Sequence, residues 1–248
     1  MMITIFTIAG SAVYAAEIPV SDQDQLITSR DWTEISNLQD EMKKEEPDAT
    51  IDYDKALKVY VDCNLIKLQT ADTKKLTSAL ESANYVWVIP FKMEKTYGMF
   101  TVAKGLPLSE EAKSVLTKAE QEEVKNHAGK WMITETAEHT VEPYYDILLE
   151  KREALSDCTR VVLVGSQPGM RQPVALGMDD ETARIWISLG YQYPVMEKIP
   201  ETQNVESGVY SFDSVAEISD TYIEDSEVST GAGVQSRSSM KYVAGIGI

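Results

Sequence analysis

The chain has 248 residues, 43% hydrophobic and 25% charged, which is enough apolar material for a sizeable core and excludes disorder throughout. Its 23 basic side chains stand against 40 acidic ones, a formal net charge of −17. So acidic a surface is repelled by nucleic-acid phosphates and anionic lipids, and neither is expected as a main partner.

Residues 2–16 read MITIFTIAGSAVYAA, an apolar run with no charge that ends in small residues and gives way to Glu17 and Pro19. The pattern is that of the apolar and cleavage portions of a secretory signal, with the cut expected after Ala15 or Ala16. The run is too short to span a bilayer, so no transmembrane span is expected in the mature chain. No Cys follows the expected cut, which removes the lipoprotein alternative.

Residues 17–50 form an expected N-terminal helical extension. Trp32, Ile35, Leu38 and Met42 recur at helical spacing, and Pro47 closes the pattern. The core domain is expected over residues 51–190. It opens with ALKVYV from Ala56 to Val61, which alternates as a strand should, with Leu57, Val59 and Val61 on one face. A helix follows from Asp72 to Ala83, with Asp72 as its N-cap and Leu76 and Leu80 on its apolar stripe.

From Tyr85 to Lys104, two runs of β-branched and aromatic residues flank polar Lys92 to Thr96, the pattern of a β-hairpin. One long helix is expected from Ser109 to His127, with Ala112, Val115, Leu116, Ala119 and Val124 on its buried face and Gly129 ending it. A strand from Lys130 to Thr136 and a helix from Glu142 to Leu155, entered through Pro143, come next. A second hairpin joins Thr159–Val164 to Pro173–Met178 through GSQPGMR, and a further strand runs from Arg184 to Leu189.

The fold class is therefore α+β: a mainly antiparallel sheet of about six strands, built of hairpins, with three helices packed on it. The order helix, strand, turn, strand occurs twice, aligning Ser82 with Ser156 and Val88 with Val162. Two degenerate repeats would account for that order. Residues 191–248 carry three bases against nine acids, and STGAGVQSRSS within them has linker composition, so an acidic, partly flexible C-terminal segment is expected.

The search for chemistry returns mostly exclusions. His127 and His139 belong to no HExxH arrangement, and the wider set with Glu135 and Glu138 has no recognised ligand spacing, so no metal and no cofactor is assigned. Neither Asp179–Glu181 nor the acids from Asp220 to Glu227 have EF-hand spacing. Cys63 and Cys158 each follow an Asp, but VDCNL and SDCTR lack the Gly of the DCSG opening of NlpC/P60-type peptidases, and no His lies after Cys158. In an oxidising compartment the two cysteines are a disulfide candidate; a pair of buried free thiols is the equal alternative.

The loop Gly165-Ser166-Gln167-Pro168-Gly169 matches no phosphate-binding or nucleophile motif and reads as a hairpin connection. If it contacts a ligand, Ser166, Gln167 and Arg171 are the expected contacts. The four tryptophans suit carbohydrate stacking only on a shared face; Trp87, Trp131 and Trp186 lie in expected strands, which points to the core.

These readings lead to an exported, non-enzymatic binding module of a bacterial-type cell envelope or extracellular space, with a protein or glycan partner. The alternative is a secreted hydrolase acting on wall or glycan material through carboxylates.

Overall fold

The computed structural model describes residues 18–139, 142–165, 167, 172–189 and 208–217. The expected signal at 1–16, Ser166 and Arg171 of the candidate loop, and residues 191–207 and 218–248 of the acidic segment lie outside them.

The described chain is α+β, a mostly antiparallel sheet of nine strands with helices on both faces. In chain order the strands are β1 (Thr50–Ile51), β2 (Leu57–Val61), β3 (Asn84–Lys92), β4 (Tyr97–Lys104), β5 (Trp131–His139), β6 (Arg160–Val164), β7 (Val174–Met178), β8 (Ala183–Ser188) and β9 (Val209–Ser211). Across the sheet they run β5-β4-β3-β2-β6-β7-β8-β9, with β1 paired beside β3. Both expected hairpins form, β3 with β4 and β6 with β7. The one parallel pair is central, β2 with β6, held through Val59–Leu163 and Tyr60–Val164.

The helices are α1 (Trp32–Ile35), α2 (Gln39–Glu45), α3 (Thr73–Ser82), α4 (Glu110–Val115), α5 (Lys118–His127) and α6 (Tyr144–Glu150), and residues 212–217 are helical as well. Asp72 caps α3 as the sequence predicts, its carboxylate accepting from the Lys75 N–H at 3.0 Å.

Two expected helices are each broken, and both breaks have local causes. Between α1 and α2, Ser36 Oγ and Asn37 Nδ2 donate back to the Thr33 carbonyl, competing with the regular ladder, and residues 36–38 tighten into a 3-10 turn. Between α4 and α5, Leu116 is extended and Thr117 starts a new helix through a reciprocal capping box with Glu120. The buried face expected there is absent: neither α4 nor α5 has a buried residue, and Val115 is 80% exposed.

Strand alternation divides the core between the two sheet faces. On one face, α1 and α2 set Ile35 and Met42 over Trp87, Ile89, Phe91, Phe100 and Ile133. On the same face Leu76 and Leu80 of α3, with Phe212 and Val215, cover Val162, Val164, Leu176 and Trp186. On the other face α6 places Tyr144 and Leu148 over Val59, Val88, Val161 and Leu163. Residues 18–49 thus contribute Ile18, Leu26, Ile35, Met42 and Ala49 directly to the core. Helix then hairpin does occur in both halves, but β3 joins β2 antiparallel and β6 joins it parallel, so the halves are paired differently. Among the described residues no helix is long and apolar enough to cross a membrane.

Candidate functional site

The parallel pair gives the sheet two distinct ends. At the carboxyl end, two loops leave side by side: residues 62–72 after β2 and the loop after β6. This is the end of a parallel pair at which open sheets commonly bind ligands. Gln167, only 3% exposed, ties the two loops together. Its amide nitrogen donates to the carbonyls of Cys63 at 2.7 Å and Gly165 at 2.9 Å, and its carbonyl oxygen accepts from the Leu65 N–H at 3.2 Å. Gly165 N–H adds a bond to the Tyr60 carbonyl at 2.8 Å. Gln167 faces inward and fixes where both loops begin.

The first loop is a strap laid down the sheet face. Asp62 and Gln69, at its two bends, have positive φ of 59° and 49°. Asp62 is a residue type that tolerates this region, and its carboxylate accepts from Asn84 at 3.1 Å. Between the bends Leu65 and Ile66 are buried, and Asn64 accepts from the Lys67 N–H. An open groove of about 350 Å³ runs between Ile66, Thr70 and Ala71 of the strap and Phe212, Asp213 and Glu217.

At the amino end β2 and β6 splay, and residues 18–26 fill the gap. Val20 bridges Val161, Gln25 bridges Leu57, and Leu26 N–H donates to the Ala56 carbonyl. A 3-10 turn, Asp22–Asp24, inserts the Asp24 carboxylate between the strands, where it is 2% exposed. It accepts from Ser21 at 2.6 Å, Tyr60 at 2.7 Å and Arg160 at 3.0 Å, and Lys58 Nζ lies 3.5 Å away. Burial pushes the Asp24 carboxyl up, but these hydrogen bonds and the Arg160 charge outweigh it and hold the group below its ordinary value. Burial lowers Lys58 against the opposing pull of Asp24, and burial with the Asp24 charge raises the Tyr60 phenol.

The Lys58 ammonium also lies over the rings of Tyr60, Tyr85 and Trp87, 4.7 Å from the nearest, Tyr85. A second buried carboxylate, Asp31, completes the group by accepting from Tyr85 at 2.8 Å and Trp87 Nε1 at 3.1 Å. Asp24 spends both oxygens on protein donors and Asp31 its Oδ2, with Arg30 Nε 3.8 Å from its Oδ1, and the cluster is chemically a clamp across the splayed strands.

Gln167, expected to touch a ligand, is instead buried with its amide spent on the two loops, and sequence reasoning missed the Asp24 cluster. Lys58 and Tyr60 occupy the alternate positions of β2, where polar character implies solvent; Asp24 and Arg160 belong to no spacing pattern.

Cys63 and Cys158 are free, and each is buried. Cys63 packs with Val162 and Val164, whereas Cys158 packs with Val161 and Leu163, on opposite faces of β6. The sheet separates the two thiols, so the disulfide alternative is not the one the structure adopts. Burial raises both thiols to about 11. Among the described residues no group of three or more His, Cys, Asp or Glu is placed to hold a metal ion. Trp87 and Trp186 are fully buried and Trp131 nearly so.

Comparison of the chain with protein-family models, curated proteins and solved structures gives no match.

Proposed function

We propose that the protein is an exported, non-enzymatic binding protein of a bacterial-type cell envelope or extracellular space, recognising a protein or glycan through the loops at the carboxyl end of β2 and β6. The Gln167 latch carries this reading: a buried amide spends its bonds on fixing two adjacent loops, which is the support that recognition loops on a rigid sheet require. Ser166 and Arg171 flank that latch in sequence and are the assigned contacts. Export rests on the apolar run at 2–16.

The hydrolase alternative needs two carboxyl groups facing an open cleft. Asp24 and Asp31 face protein donors, which leaves that alternative Asp213 and Glu217, the two acids lining the groove beside the strap.

Binding of the purified chain to isolated envelope material tests the reading. Ser166→Ala and Arg171→Ala should weaken binding at least tenfold with unchanged thermal stability, while Gln167→Leu lowers both. Unchanged binding in both contact variants, or release of wall fragments by the protein, would overturn it. N-terminal sequencing of the extracytoplasmic protein should begin at Ala16 or Glu17; a chain retained inside with Met1 intact would remove export.

A further inference from the structure

The two edges of the sheet differ. At one, β9 is three residues long; at the other, β5 runs for nine residues, paired with β4 on its inner side, and among the described residues no strand pairs with its outer side. Such an edge presents a row of free backbone N–H and C=O groups, a template for one more strand. β5 contains no Pro, and its irregularity is confined to Thr134, whose hydroxyl donates to the Thr101 carbonyl.

Lys104 lies over Trp131 at the start of β5, and the acids gather along its second half. Glu135 and Glu138 are exposed on β5, and the end of α2 brings Glu45 and Glu46 alongside, with Thr136 Oγ1 donating to Glu45. Glu46 is held above its ordinary value by burial and by the charges of Glu138 and Glu45, which shows the crowding of carboxylates here. Antiparallel pairing of two copies centred on residues 135–138 would bring Glu135 and Glu138 of each close to the same residues of the other, on chains of net charge −17. Residues 191–227 of the chain, with nine acids against one base, are a poor match for the same reason; residues 228–248, which carry Arg237 and Lys241 and no acid, are the intramolecular competitor, and their pairing here would show as β5 amides already protected on both sides in the free protein.

We infer that the open edge of β5 accepts an extended, lysine- or arginine-bearing segment of a partner polypeptide as a tenth strand. Backbone bonds supply the pairing, and Glu135, Glu138, Glu45 and Glu46 select the charge. The surface is separate from the loops at the carboxyl end of β2 and β6, and its failure leaves that reading standing.

The test uses the full chain and three eight-residue peptides: alternating Lys-Val, alternating Glu-Val, and the Lys-Val peptide N-methylated at every second residue to block pairing. Binding is followed by fluorescence anisotropy and by hydrogen exchange. The Lys-Val peptide should bind, protect amides within 131–139, and lose at least tenfold in affinity on N-methylation; the Glu-Val peptide should not bind. Glu135→Lys combined with Glu138→Lys should lower affinity for Lys-Val at least tenfold at an unchanged Tm. The inference is overturned by equal binding of the N-methylated peptide, by protection elsewhere, by no binding at millimolar peptide, by β5 amides already protected on both sides in the free protein, or by self-association through this edge.

Discussion

The Tyr60 hydroxyl donates to the Asp24 carboxylate at 2.7 Å, fastening a 3-10 turn near the start of the described chain to the central strand of the sheet. Lys58 and Arg160 lean on the same carboxylate, so deleting it leaves two largely buried cations facing each other. Asp24→Ala should therefore cost about 3–5 kcal/mol, the range for breaking a buried charge pair from one side. Tyr60→Phe, which removes one bond to a charged acceptor, should cost about 1.5–3 kcal/mol. Urea unfolding at pH 7 measures both, and a loss below about 1 kcal/mol for Asp24→Ala would show that the turn is not clamped by its charge.

The same carboxylate gives stability a signed pH dependence. Asp24 is held below its ordinary value in the fold, so as pH falls the unfolded chain takes up the proton first. Its contribution is complete above the unfolded value, about 3.9, and is lost as pH falls through the lower folded value. The gap in Tm between the native chain and Asp24→Asn should be constant from pH 7 to about 5 and narrow below about 4. Tyr60 is shifted upward, so its contribution is present below about pH 10 and is lost as pH rises further. The alkaline limb should flatten in Tyr60→Phe. An Asp24→Asn gap that stays constant down to pH 2 would assign the acid sensitivity to other carboxylates.

Gly98 faces Phe91 across the β3–β4 pair, and the phenyl ring lies over it. A methyl group at Gly98 would overlap the ring carbons, and the ring has little room to retreat because Phe91 is 1% exposed and stacks on Phe100 at a centroid distance of 4.6 Å. Gly98→Ala, ordinarily mild in a strand, should cost about 1–3 kcal/mol through overpacking. Adding Phe91→Leu should return part of that loss, since the smaller side chain vacates the space. Strict additivity of the two losses in chemical denaturation would refute the contact.

The thiols of Cys63 and Cys158 are raised to about 11 and shielded by the core on opposite sheet faces. Neither should react with an aromatic disulfide reagent at pH 8 in the native protein, and both should react once it is unfolded. Reducing agent should leave Tm unchanged. Failure of the denatured, unreduced chain to show two thiols would mean that they are paired.

How much of this was legible in the sequence depended on whether the determining contacts are local. The hairpin of β3 and β4 announces itself through runs of β-branched and aromatic residues around a polar turn, and Asp72 announces α3 through its cap; both signals lie within a few residues. The break at Thr117 was also local, since Thr117 and Glu120 form a capping box, but the continuing apolar spacing through Leu116 and Ala119 masked it. The Asp24 cluster was not legible at all. It joins Ser21, Asp24, Lys58, Tyr60 and Arg160, and nothing in the sequence near Asp24 indicates that Arg160 closes over it, because that contact exists only once β2 and β6 have paired parallel and splayed. Gln167 was picked out for its Gly- and Pro-rich setting, whereas its partners Cys63 and Leu65 come from a loop about a hundred residues away, brought near by the same parallel pairing.

The excursion from β4 to β5 should be dispensable to the fold, although its base is not. Residues 106–127 include no buried side chain, and the strands continue their pairing up to Lys104–Trp131 beneath it. The excursion is pinned by Gly105, whose N–H donates to the Lys130 carbonyl at 2.9 Å and whose carbonyl accepts from Gly129 at 2.8 Å. Helices without a buried face contribute mainly their own caps and short-range pairs, here Lys113 with Glu110 and Lys125 with Glu122, each worth a few tenths of a kcal/mol. Replacing residues 108–126 with a short Gly-Ser turn should therefore change stability by less than about 1 kcal/mol, a shift of about 2–4 °C in Tm at this chain length. Gly105→Ala should do more damage than removing both helices, because its methyl group would collide with the backbone carbonyl of His127, which cannot rotate away as a side chain could. Calorimetry of the two variants separates the cases: a deletion that unfolds the protein, beside a Gly105→Ala variant that melts normally, would mean that α4 and α5 support the sheet.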